Sequence, residues 1–136
     1  KVLTCQNFYQ LKNIKKLLVK KLIKLSKYIM PIYWAFLTYM LLRPGGQSVG
    51  FIGTIPNIDK LVHLIIFALL GLLLKTTWPQ LKPIYYFQII FAYALLTEIL
   101  QHVMPYGRSL EILDIVADML GAVLGLYIYK ELEKKI

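Results

Sequence analysis

Several ionisable residues stand inside apolar stretches, where they are expensive to keep. In ALLTEILQHV, Glu98, Gln101 and His102 fall at i, i+3 and i+4, and in ILDIVADML, Asp114 and Asp118 fall at i and i+4. On a helix those spacings place side chains on one face. Asp59 and His63 repeat the i, i+4 spacing earlier, with Lys60 beside them, and Arg108 lies between the two later runs. Three chemistries use such residues. Carboxylates with a histidine serve general acid–base steps, for which Glu98, Asp114 and His63 are the candidates. Carboxylates with imidazoles also hold divalent metals, with His63, Glu98, His102 and Asp114 as weak candidates for ligands. Lys60 and Arg108 supply the cations that a phosphate group requires. The chain contains no nucleophile motif, phosphate-binding loop or CxxC pair.

Composition decides the surroundings of these groups. The chain has 136 residues, 58% of them hydrophobic, and a mean hydropathy of +0.60. That exceeds what a soluble domain of this length needs. The formal charge is +9, which in a soluble protein would point to nucleic acid. Here the basic segments flank apolar ones, so the membrane surface is the expected partner and nucleic acid is not. One cysteine, Cys5, excludes an internal disulfide framework. No hydrophobic run precedes Leu3-Thr4-Cys5, so a lipoprotein site is not read there, and the absence of an initial methionine suggests a trimmed or partial start.

The elements that must position the ionisable groups follow from the apolar runs. Residues 1–27 alternate lysines with Leu11, Ile14, Leu17, Leu18, Leu22 and Leu25 at helical spacing. This predicts a basic amphipathic segment, either lying on an anionic leaflet or forming a solvated tail. Four runs then read as membrane helices over about 28–43, 58–78, 83–104 and 111–130, so residues 28–136 form one four-helix transmembrane domain. Pro31 and Pro83 stand near helix starts, where proline is best tolerated. Residues 47–57, with Gly50, Gly53 and Pro56, read as an ordered or re-entrant loop. On the last helix, Ala117, Gly121 and Gly125 recur every four residues, which predicts close helix packing. Asp114 and Asp118 share that face, so the acids should point into the bundle, where Lys60, Arg108 or a histidine neutralises them. Tyr85, Tyr86, Tyr127 and Tyr129 fit an interfacial aromatic belt, Trp34 is expected to face lipid or pack, and Glu111 reads as a solvated acid favoured by the helix dipole.

Charge sets the orientation. With the N-terminus inside and four spans, all of the 16 basic residues except Arg43, Lys60 and Arg108 fall on the inner side. This is the positive-inside pattern. It predicts a multi-pass protein of a bacterial cytoplasmic membrane with both termini cytoplasmic. Glu98 then lies roughly 9 Å below the outer helix end, and Asp118 at a similar depth, from the rise per residue of an α-helix.

Four short motifs, in order, resemble the VanZ-like family. Ile58-Asp59-Lys60-Leu61-Val62-His63 resembles its D-K-x-x-H, Glu98-Ile99-Leu100-Gln101 its E-x-x-Q, Pro105-Tyr106-Gly107-Arg108-Ser109 its P-x-x-R-S, and Asp114 to Gly121 its D-x-x-A-N-x-x-G. Asp118 stands where the family usually has asparagine. The resemblance covers about residues 31–129 and leaves out the lysine-rich start. It implies a small polytopic bacterial membrane protein and a link to the cell envelope and teicoplanin resistance. It also implies Asp59, Lys60, His63, Glu98, Gln101, Arg108, Asp114 and Gly121 as candidate site residues, to which Asp118 is added from its spacing.

The leading functional expectation is a polar cluster in the outer half of the membrane. It holds the helices in register and binds an anionic lipid or wall-precursor head group. One alternative is a membrane-embedded acid–base or metal-dependent enzyme acting on a lipid head group. A second is a small proton-coupled carrier, because intramembrane acids also serve proton relays.

Overall fold

The computed structural model describes residues 2–42, 58–104 and 111–135. The described residues form four helices: α1 (Val2–Leu42), α2 (Ile58–Thr77), α3 (Pro83–Val103) and α4 (Ile112–Lys135). The 47–57 loop and the Pro105–Ser109 turn lie outside the described residues. Residues 83–103 and 112–134 are long and apolar enough to cross a membrane.

Helix α1 runs without a break through the expected boundary at residue 27, with Pro31 inside it. Its 41 residues make a rod of about 60 Å at 1.5 Å per residue, twice the thickness of a bilayer's hydrocarbon core. The basic segment therefore continues the axis of the first apolar run. Its apolar positions Leu11, Leu17 and Leu25 are exposed.

The interior holds an apolar core that includes Leu37, Phe67, Leu70 and Ile90, and apolar side chains cover the outside as well. Ile32, Ile65, Ile84, Leu96, Val116 and Leu120 all point outward. Glu98 and Asp118 are 1% and 0% exposed. Apolar side chains outside and acids inside fit an apolar surrounding solvent such as a membrane interior.

Helices α2 and α4 form the closest pair, and the glycines explain why. A Cβ on Gly121 would run into the carbonyl oxygen of Leu64 and come within 3.0 Å of the backbone nitrogen of Ala68; one on Gly125 would run into the carbonyl of Ala68 and come within 2.9 Å of the nitrogen of Leu72. The α4 stripe of small residues is thus in backbone contact with α2, the approach that such spacings permit in membranes. On α2, Gly71 leaves room for the hydroxyl of Tyr86. That hydroxyl donates to the Ala122 carbonyl across 2.8 Å. Tyr86 is therefore a fully buried tie between α3 and α4, whereas Tyr85 and Tyr127 are exposed as an aromatic belt requires. Trp34 packs edge-on against Tyr93, with ring centroids 5.3 Å apart.

The end opposite the acids is closed by the α2–α3 turn. Lys75 Nζ donates to the carbonyls of Pro79 and Leu81 at 2.8 and 2.7 Å. Pro83 then starts α3 at a position where no amide donor is needed.

Candidate functional site

The start of α2, the end of α3 and the start of α4 meet at one end of the bundle, and their ionisable groups meet with them. His63 Nδ1 lies 2.9 Å from Asp118 Oδ1, and both side chains are buried. Lys60 Nζ lies 2.7 Å from Glu111 Oε2, 3.3 Å from Asp59 Oδ2 and 3.4 Å from Asp114 Oδ1. The backbone N–H of Glu111 donates to Glu98 Oε2 across 3.2 Å. Gln101 Nε2 donates to the Leu41 carbonyl across 2.7 Å, which ties the end of α3 to the end of α1. Asp59, in the first turn of α2, and Asp114, in the first turn of α4, also sit where the helix dipole favours negative charge.

Helix geometry explains this convergence. Asp114 and Asp118 occupy i and i+4 on α4, so they share the face that the small residues press against α2, and Glu111 stands just before the helix start at the same end. Lys60 and His63 are three apart on α2 and meet that face at two levels, lysine nearer the helix start and histidine one turn deeper. Glu98 enters from α3 between them.

The charge within the cluster is unbalanced. Among the described residues, five carboxylates (Asp59, Glu98, Glu111, Asp114 and Asp118) face Lys60 and His63. Glu98 Oε1, Asp114 Oδ1 and Asp118 Oδ2 are buried without a hydrogen-bond partner. Asp114 Oδ1 retains the 3.4 Å approach of Lys60. One ligand atom each from His63, Glu98 and Asp114 lies within 4.8 Å of the other two. A second such group is Asp59, Glu111 and Asp114, with the first two exposed.

A cleft of about 440 Å³ leads from the outer surface of the bundle to this cluster. It runs between α1 and α2. Phe36, Met40, Val62 and Ile65 are among its apolar walls, and Asp59 and His63 line it too. A larger cavity of about 540 Å³ opens at the opposite end, beside Thr76, Gln80 and Tyr129, and none of the cluster lines it.

The structure thus brings together Asp59, Lys60, His63, Glu98, Asp114 and Asp118, with Gln101 three residues on from Glu98 and turned to α1. Ala117, Gly121 and Gly125 are packing residues on the same helix. Arg108 lies outside the described residues. His102 is exposed at the end of α3 and belongs to neither metal-competent group. Glu111 is the residue that sequence reasoning set aside. It is the nearest partner of Lys60 and its amide orients Glu98. Its i, i+3, i+7 relation to Asp114 and Asp118 was the available signal.

A family model described as VanZ/LLP1 matches residues 4–133. The match takes in the lysine-rich segment that the four motifs leave out. No curated protein and no solved structure matches the chain.

Proposed function

The chain belongs to the VanZ/LLP1 family, and from that premise we propose that it is a four-span protein of the bacterial cell envelope whose outer polar cluster binds the phosphate head group of a lipid or lipid-linked wall precursor. The observation that carries this reading is the cleft between α1 and α2. Its apolar walls suit an acyl or prenyl chain, and its polar lining, Asp59 and His63, belongs to the cluster. An amphiphile matches both parts, whereas a soluble metabolite matches only the second. Four spans are supported by α2, whose 20 residues reach about 30 Å at the rise of an α-helix, and by the distribution of basic residues. On this topology both termini are cytoplasmic. The association of the family's namesake with teicoplanin resistance fits a ligand drawn from the envelope.

Native mass spectrometry in mild detergent tests the reading. The wild-type chain should retain an anionic phospholipid or a lipid-linked phosphate. Val62→Trp fills the cleft at an exposed position without touching the cluster's ion pairs, and should lower that retention at least fivefold at unchanged thermal stability. Equal retention by Val62→Trp and wild type would remove the cleft as the lipid's route.

A second reading, acid–base catalysis on the same head group, draws on the His63–Asp118 pair. A carboxylate that orients an imidazole is the arrangement of many general bases.

A further inference from the structure

We infer that His63, Glu98 and Asp114 bind a divalent transition-metal ion between α2, α3 and α4. The inference deepens the head-group reading, and rests on it only for what the ion does: it supplies the positive charge that lets an acidic cluster accept a phosphate.

Three observations converge. The ligand atoms come from three helices and lie within 4.8 Å of one another. Around an ion with bonds of about 2.1 Å, ligand atoms sit roughly 3.4 Å apart, so on the order of 1 Å of side-chain adjustment closes the set. One of the three ligand side chains then gains what it lacks. Glu98 is 1% exposed and its Oε1 is buried without a hydrogen-bond partner, whereas Asp114 Oδ1 keeps the 3.4 Å approach of Lys60. A buried carboxylate without compensation is among the costliest groups in a folded chain. Finally, His63 is already oriented for the role. Its Nδ1 is committed to Asp118 at 2.9 Å, which leaves Nε2 as the ring nitrogen available to a metal. A carboxylate behind a ligating imidazole is the common arrangement in metal sites, where it fixes the tautomer and the ring's direction.

The donor set also selects the ion. One imidazole and two carboxylates suit Zn²⁺ or Mn²⁺ better than Ca²⁺, which takes six to eight oxygens, and three protein ligands leave a position open. Lys60, 3.4 Å from Asp114, would stand beside such an ion as a cation able to help hold a phosphate oxygen.

The test is Zn²⁺ titration of the full-length protein in detergent after chelator treatment, with Co²⁺ replacing Zn²⁺ as a visible-absorption probe. Wild type should bind one ion per chain, and Co²⁺ should give the absorption of a low-coordinate nitrogen–oxygen site. Glu98→Gln and His63→Gln should each weaken binding at least 100-fold. Asp118→Asn, which acts through His63, should weaken it about tenfold while the Co²⁺ spectrum shifts. His102→Ala should leave it unchanged. No stoichiometric ion, or loss of binding in His102→Ala with retention in Glu98→Gln, overturns the inference. Lipid retention measured with and without chelator separates the two proposals. A bound ion with no retained anionic lipid overturns the head-group reading and leaves the metal site standing. Retained lipid with no ion does the reverse.

Discussion

Gly121→Leu should unfold the bundle or leave it severely destabilised. A side chain at this position meets the backbone of α2 at Leu64 and Ala68, and backbone cannot rotate aside as a side-chain tip can. Replacing glycine in a helix normally gains up to about 1 kcal/mol from propensity. Overpacking a close interface costs about 1–3 kcal/mol and sometimes more. Here the contact is helix backbone to helix backbone, so the cost lies at or above the top of that range, and the balance is destabilising. Helices α2 and α4 would have to separate, and the Lys60–Asp114 and His63–Asp118 pairs would separate with them. Thermal unfolding in detergent should show a midpoint lowered by about 10 °C or more, or no folded protein. Leu120→Ala, one residue away on the exposed face, should change the midpoint little. Equal stability of Gly121→Leu and wild type would mean that α4 does not meet α2 along this stripe.

The second large effect concerns the buried pair. His63→Leu removes the partner of Asp118 and leaves a fully buried carboxylate with neither oxygen bonded. Taking the hydrogen-bond donor from a buried carboxylate costs about 3 kcal/mol or more, because the remaining group loses its compensation. The double variant His63→Leu, Asp118→Leu should recover most of that loss, since the apolar replacement removes the desolvation penalty as well as the bond. Asp118→Asn should be nearly neutral for stability, at under about 1 kcal/mol, because an amide keeps a hydrogen bond to the imidazole. Asparagine is also the residue that the motif resemblance leads one to expect at this position. Thermal melts of wild type, Asp118→Asn, both single leucine variants and the double variant measure the cycle. If His63→Leu costs no more than Asp118→Asn, the pair does not hold α2 to α4.

Much of this site was legible in the sequence because helical spacing is a strong constraint. Asp114 and Asp118 on the face of Gly121 and Gly125 had to point where those glycines point, which is into α2. Lys60 and His63 were then the partners that α2 could offer, and they do meet the two acids. What spacing could not give is contact across a turn. Glu111 reads as a solvated acid at a helix start because nothing local distinguishes it. Its roles, as partner of Lys60 and amide donor to Glu98, exist only once α3 and α4 are brought side by side. Tyr86 departs from the expected belt for the same reason. Tyrosines near a helix start suggest an aromatic belt, but the gap at Gly71 draws this one into the core. The boundary at residue 27 followed from a change in composition from lysine-rich to apolar. Composition changes the environment of a helix without ending it, and α1 continues. His102 shows the converse limit. It shares the Glu98 face by spacing, yet in the last turn of α3 it is exposed among the described residues.

The central claim is that the polar cluster opens at the outer face of the membrane while both chain ends lie inside. Single-cysteine labelling in intact cells, in a Cys5→Ser background, measures this most directly. A membrane-impermeant maleimide should label cysteine placed at exposed Asp59 or Ile112, beside the cluster, and should fail to label cysteine placed at Lys134 until the cells are opened. Labelling of position 134 from outside, with positions 59 and 112 protected, would invert the bundle and place the cluster against the cytoplasm, contradicting the account.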